Sequence, residues 1–196
     1  VTRLPDPAAA PGHTKTVRNS LAVLLAACGT LGAAPAARAG APPAAVGPAA
    51  VAPAAAVHVA PLAEPEVRAF MTRIENAARA RDVAALGAAL AEDCRVELRT
   101  RLEGREHLTV LTRARYVELL QNGYAAFKDL ERYDYALEDV RVTLAADGSA
   151  TVVSRVTETL VLNGERTVTA SEETSRIERR GGELKLVAVS ALTLGR

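Results

Sequence analysis

An α+β fold, with helices leading and an antiparallel sheet closing the chain, is what this 196-residue sequence predicts. Three observations carry the prediction. From Tyr133 to Leu194, four alternating runs are separated by the turn signals Ala146-Asp147-Gly148-Ser149, Asn163-Gly164 and Gly181-Gly182. Asn-Gly and Gly-Gly supply the positive φ angles that a two-residue hairpin loop needs, so each reverses the chain into an antiparallel neighbour. Upstream, Val67, Phe70, Met71, Ile74, Ala77 and Ala78 recur at helical spacing. Between these regions, Val96, Leu98 and Thr100 alternate with Glu97, Arg99 and Arg101, the pattern of a strand with one buried face.

The chain divides into an N-terminal extension (1–39), an Ala/Pro-rich linker (40–63) and a folded domain (64–196). The stretch Val1 to Thr16 has no periodicity, and an alternative start at Val17 would give a short basic segment followed by the apolar run Leu21 to Ala27. That run is too short to span a membrane and reads as an export signal. Two processing sites compete: Leu25-Ala26-Ala27-Cys28 has the form of a lipobox in which Cys28 is lipidated, and Ala37-Arg38-Ala39 has the form of an ordinary signal-peptidase site. Either one places the mature protein in the periplasm, outside the cell, or on a membrane through its lipid. Gly40 to Val57 contains only Gly, Ala, Pro and Val, the composition of an extended tether.

In the folded domain, Pro65 suits the first turn of helix one. Asp82 reads as the N-cap of a shorter helix carrying Leu86 and Leu90, and Thr112 as the cap of a third with the stripe Tyr116, Leu119, Leu120, Tyr124 and Phe127. Glu103-Gly104 turns the first strand back into a second, from Glu106 to Leu111. The predicted order is ααββα followed by ββββ.

The two-residue turns set the register of the last three strands. One face then holds Val152, Ser154, Val156, Glu158 and Leu160, then Thr169, Ser171, Glu173, Ser175 and Ile177, then Leu184, Leu186, Ala188, Ser190 and Leu192. Long aliphatics mixed with two isolated carboxylates and small hydroxyls describe a pocket with a polar floor. The other face holds Val153, Val161, Val168, Val187 and Val189, enough apolar surface to predict a homodimer through it, with Arg155 opposite Glu172. Glu173, with Ser171, Ser175 and Ser190 beside it, is expected to have a raised pKa through desolvation.

The segments Ala80-Arg81-Asp82-Val83-Ala84-Ala85-Leu86 and Ala91-Glu92-Asp93-Cys94-Arg95-Val96-Glu97, followed by the terminal meander, resemble the nuclear transport factor 2-like (NTF2-like, SnoaL-like) superfamily over roughly Glu64 to Leu194. The resemblance implies a cone: three N-terminal helices packed in a curved antiparallel or mixed sheet, with a pocket at the open end. It implies a fold more than an activity. Ketosteroid isomerases of this superfamily work with a tyrosine, a catalytic base and a hydrogen-bonding acid. Here the tyrosine position is Ile74, the base position is Leu98 and the acid position is Glu173, so two of the three groups are replaced by carbon side chains and isomerase chemistry is not implied.

A formal net charge of +1 and 3% aromatics argue against nucleic acid. The two cysteines, Cys28 and Cys94, make no disulfide framework, and no His/Cys cluster has metal-ligand spacing, so neither a metal nor another cofactor is expected. Cys94 reads as a small buried hydrophobe and His107 as a surface or rim residue. Three functions follow as expectations. The first is an exported domain that binds a small apolar or amphipathic molecule through Glu158, Glu173, Tyr116, Tyr124 and Ser190. The second is a SnoaL- or isomerase-type enzyme using Glu173 with Glu158, and the third is a cell-envelope assembly module.

Overall fold

The computed structural model describes residues 61–102 and 105–194. The export signal, Cys28, the processing sites, the tether and the Glu103-Gly104 turn lie outside the described residues.

Helix α1 (Glu64–Arg79) carries Pro65 in its first turn and Glu64 and Glu66 where carboxylates favour the positive end of the helix dipole. Its buried stripe is Val67, Phe70, Met71, Ile74 and Ala78. Each large apolar side chain so buried contributes roughly 1.5–3 kcal/mol. The helix ends in a Schellman arrangement: the Asp82 N–H donates to the Ala77 carbonyl at 2.8 Å and the Arg81 N–H to the Ala78 carbonyl at 2.9 Å. The left-handed position belongs to Arg81, with φ 55°. Asp82 then caps α2 (Val83–Ala89), accepting from the Ala85 N–H at 2.9 Å. Leu90, expected on that helix, instead opens strand β1 (Leu90–Leu102).

Strand β2 (Arg105–Thr112) pairs antiparallel with β1, and Thr112 caps α3 (Arg113–Ala126). Four strands follow: β3 (Arg132–Leu144), β4 (Ala150–Leu162), β5 (Glu165–Arg180) and β6 (Glu183–Leu194). They form one sheet with β1 and β2, in the order β2-β1-β6-β5-β4-β3. The sheet is mixed, because β1 runs parallel to β6 while every other pair is antiparallel. The predicted element order is the observed one.

Both hairpin turns have positive φ at their two central residues, 52° and 74° at Asn163-Gly164 and 59° and 87° at Gly181-Gly182. The first locks β4 against β5 along their full length, with Ser154 opposite Glu173, Arg155 opposite Glu172 and Glu158 opposite Thr169. The second holds only as far as Ile177↔Leu186; the next pair is Arg176↔Ala188, so Val187 is an extra residue. A bulge of this kind turns every later side chain to the opposite face. Val189 and Ala191 therefore lie on the face that carries Glu158 and Glu173, and Ala188, Ser190 and Leu192 lie on the other. The expectation for β6 beyond Leu186 is corrected accordingly: Glu173 pairs with Ala191, while Ser190 pairs with Thr174.

The helices cover the face that bears Val152, Val156, Ile177, Leu184, Leu186 and Val189. Val152, Ile177, Leu184, Leu186 and Val189 form one core with Val67, Phe70, Met71 and Ile74 of α1 and with Cys94 and Val96 of β1. Where helix and strand side chains do not fill this layer, toward α3 and β3, the cavities open.

Candidate active site

Two adjoining cavities lie between α3 and the inner face of the sheet. The outer one, about 90 Å³, runs from Leu98 on β1 across Ala191 and Thr193 on β6 to Thr169 and Ser171 on β5. The inner one, about 50 Å³, is closed by Ile74 and Ala78 of α1 and Leu86 and Ala89 of α2. Tyr116, Leu120, Tyr135, Glu158, Glu173 and Val189 line both, so the two carboxyl groups stand where the chambers meet. A third small space against Phe127 and Leu130 also touches Glu158, Tyr124 and Tyr133. No Arg, Lys or His lines any of the three, among the described residues.

Strand alternation places both carboxyls here. Glu158 follows Val152, Ser154 and Val156 at even spacing on β4, and these four residues are all at most 7% exposed. Glu173 follows Thr169 and Ser171 on β5; as a residue it is partly accessible, but its carboxyl end is enclosed. Each accepts a hydrogen bond from a hydroxyl: Tyr133 Oη donates to Glu158 Oε1 at 2.9 Å, and Ser175 Oγ donates to Glu173 Oε1 at 2.9 Å. Tyr133 is braced edge-to-face by Tyr124, with ring centres 6.0 Å apart, and the Arg81 guanidinium lies 5.8 Å from the Tyr133 ring centre. Arg81 is held there by donating to the Phe127 carbonyl at 3.0 Å.

Burial raises both acids. Glu158 is pushed up to about 7, first by desolvation and then by the charge of Glu173, against the opposing Tyr133 hydrogen bond. Glu173 is raised by desolvation, with the Ser175 bond opposing. Desolvation also lifts the Tyr116, Tyr124, Tyr133 and Tyr135 hydroxyls, so all four stay protonated as donors. At neutral pH the site therefore combines a carboxyl poised between its two forms, a second enclosed carboxyl, and neutral hydroxyls. Thr169 Oγ1 is buried without a hydrogen-bond partner.

Of the residues singled out in the sequence, Glu158, Glu173 and Tyr116 line both main cavities and Tyr124 lines the inner one. Ser190 does not reach the site, because the Val187 bulge turns it to the outer face. Leu98 and Ile74, at the isomerase base and tyrosine positions, line the outer and inner cavities respectively, and neither side chain can carry a proton. Tyrosines at strand spacing are more often core residues with a polar tip, yet among the described residues Tyr133 is the side chain that hydrogen-bonds to Glu158. A bulge between Glu138 and Arg141 hides this in the sequence, since counting back from Leu144↔Ala150 puts Ala136, and not Tyr135, opposite Glu158. Cys94 is buried and its thiol is pushed up to about 11 by burial, with Asp93 adding to the rise. His107 is exposed on the edge strand.

No protein-family model and no curated protein matches this chain. Solved structures do. An NTF2-like protein with a cystatin-like fold from Novosphingobium aromaticivorans is 19% identical, with 66% of this chain and 80% of that one aligned at a TM-score of 0.53. A scytalone dehydratase-like protein from the same species is 14% identical over 67% and 83% of the two chains, also at 0.53. ActVI-ORFA from Streptomyces coelicolor is 22% identical over 66% and 95%, at 0.51. At these identities the likeness speaks for architecture: the chain has the NTF2-like fold, a six-stranded mixed sheet with three helices.

Proposed function

We propose that this chain is an exported domain that binds a small amphipathic molecule between α3 and the inner face of the sheet, with Glu158 and Glu173 holding its polar end. One observation carries the reading: two carboxyl groups share the wall of an otherwise apolar cavity that no described cation lines. Burying a carboxyl without a cation costs stability, which a purely structural layer avoids by using aliphatics. A ligand that hydrogen-bonds to these groups gives that cost a function. The test is a native mass spectrum of protein purified from its own envelope, beside an Ala191→Phe variant that fills the outer cavity. A small-molecule adduct on the wild type and none on the variant is expected; bare protein in both would refute the reading.

A second reading, an enzyme using Glu158 and Glu173 as acid and base, is favoured by the position of Glu158 at about 7, where a carboxyl both gives and takes protons at neutral pH. It needs a substrate whose turnover falls by at least about a hundredfold in Glu158→Gln or Glu173→Gln.

Export rests on the Leu21 to Ala27 run and on the two processing sites. The mature mass should begin at Cys28 or Gly40, and unprocessed chain in the cytoplasm would refute it. A homodimer through the outer face is the proposed assembly. Because Val189 is turned inward, the residue to change is Leu192, which lies on the outer face opposite Glu172. Leu192→Arg should give monomers in sedimentation, and a monomeric wild type would end the idea.

A further inference from the structure

The cavity's lining also restricts the chemistry of what it takes, given the binding reading above. Its wall offers acceptors and π faces in one place. The Glu158 and Glu173 carboxyls stand at the junction of the two chambers, and Tyr116 and Tyr135 line both. Tyr124 adds a third ring on the inner side. Only one oxygen of each carboxyl is engaged by a hydroxyl, which leaves acceptor capacity free at both. The Thr169 hydroxyl, opposite Glu158 in register and on the wall of the outer chamber, is buried without a partner. We infer that the molecule bound here carries a protonated amine on an apolar body about the size of one ring, its ammonium lying between Glu158 and Glu173.

The alternatives fit less well. An anionic ligand would meet two carboxyls and, among the described residues, no cation. A neutral ligand would leave both acids in a desolvated wall with no compensating charge. An ammonium supplies donors for the unused carboxyl oxygens and for Thr169, and it gains cation–π attraction from the surrounding tyrosines. The aliphatics Leu98, Leu120, Val156, Val189 and Ala191 receive the rest of the molecule.

The groups that face Glu158 give the inference a pH signature. From β5 there is Glu173, whose charge raises it; from β3 there are Tyr133, which donates to it, and Tyr135. From α3 there are Tyr116 and Tyr124, both protonated. Helices α1 and α2 and strand β6 present only aliphatics to the inner chamber. Arg81 lies over the Tyr133 ring, and Cys94 on β1 remains a thiol. A bound ammonium favours the ionised carboxylate, so a protonated Glu158 gives up its proton on binding. Amine affinity must then rise as pH passes through about 7.

The experiment is calorimetric titration of the whole chain with benzylamine, benzyl alcohol and benzoate, at about pH 6 and about pH 8, in buffers of different ionisation enthalpy. Benzylamine is expected to bind at least about tenfold more tightly than benzyl alcohol, and benzoate more weakly than either. Amine affinity should rise about tenfold from the lower pH to the higher, with proton release, and Glu158→Gln should flatten that rise. If benzyl alcohol or benzoate binds as tightly as the amine, or if amine affinity falls with pH, the inference is overturned while the cavity reading stands. If none of the three binds, both fail.

Discussion

The two faces of this sheet carry acidic residues in opposite ways. On the outer face, the partly exposed Glu97 sits between Arg95 at 3.0 Å and Arg99 at 3.3 Å, and these guanidiniums hold its carboxyl below the usual range, the Arg99 hydrogen bond acting most strongly. On the inner face, Glu158 and Glu173 have hydroxyl partners and, among the described residues, no cation, and both are raised. Residue type is the same; what differs is the direction in which strand alternation aims each carboxyl. The outer arrangement adds little to stability, because water already solvates both charges. The inner one opposes folding whenever the carboxyls ionise, which is the mark of a site.

The most forceful way to break the comparison is to change the inner face where it is only core. Ile177 is fully buried, and Ile177→Ala should cost about 2–5 kcal/mol in urea unfolding. Thr174, exposed on the same strand, should lose at most about 0.5 kcal/mol on replacement by Ala. Equal losses would mean that the two faces are not distinct.

Glu158 sharpens it next. Its pKa rises from an ordinary value of 4.5 to about 7 on folding, so the folded state binds its proton more tightly than the unfolded chain does. Stability is then full below about pH 4.5 and is lost as pH climbs through about 7, a difference of roughly 3 kcal/mol. Glu158→Gln keeps the acceptor for Tyr133 and should remove most of that slope, leaving the variant as stable as wild type or more so at neutral pH. A Gln variant clearly less stable at neutral pH would show an ionised, stabilised carboxylate instead.

A smaller effect comes from Tyr133→Phe. The Tyr133 hydrogen bond is what restrains Glu158, so its loss should move the Glu158 titration further upward, read as a shift of the midpoint in the same stability–pH curve. A downward shift would mean that Tyr133 excludes water from Glu158 more than it supports the charge.

How much of this was legible in the sequence depends on where register is locked. Asn163-Gly164 fixes β4 against β5 without interruption, which is why two carboxyls fifteen positions apart could be placed on one face from the sequence alone. Beyond the bulge at Val187 the same counting failed: Ser190 was placed beside Glu173, and Val189 on the outer face. Val187 is an ordinary strand residue in an ordinary strand, and nothing local marks it as the extra one. The bulge in β3 leaves more of a trace, because Asp139 takes φ 54°, a conformation that Asp tolerates better than most residues. Arg81 at a helix terminus that favours Gly or Asn left none. Its reason is tertiary, a guanidinium that reaches both the Phe127 carbonyl and the Tyr133 ring.

The claim that joins these points is that the inner carboxyls are desolvated and unpaired by cations. It is tested most directly by following glutamate side-chain carboxyl carbons by NMR across pH, with Glu158→Gln and Glu173→Gln for assignment and Glu97 as the outer-face reference. Glu158 should titrate near 7, Glu173 above the ordinary value of 4.5 and Glu97 below it. Glu158 and Glu173 titrating at or below that ordinary value would contradict the account.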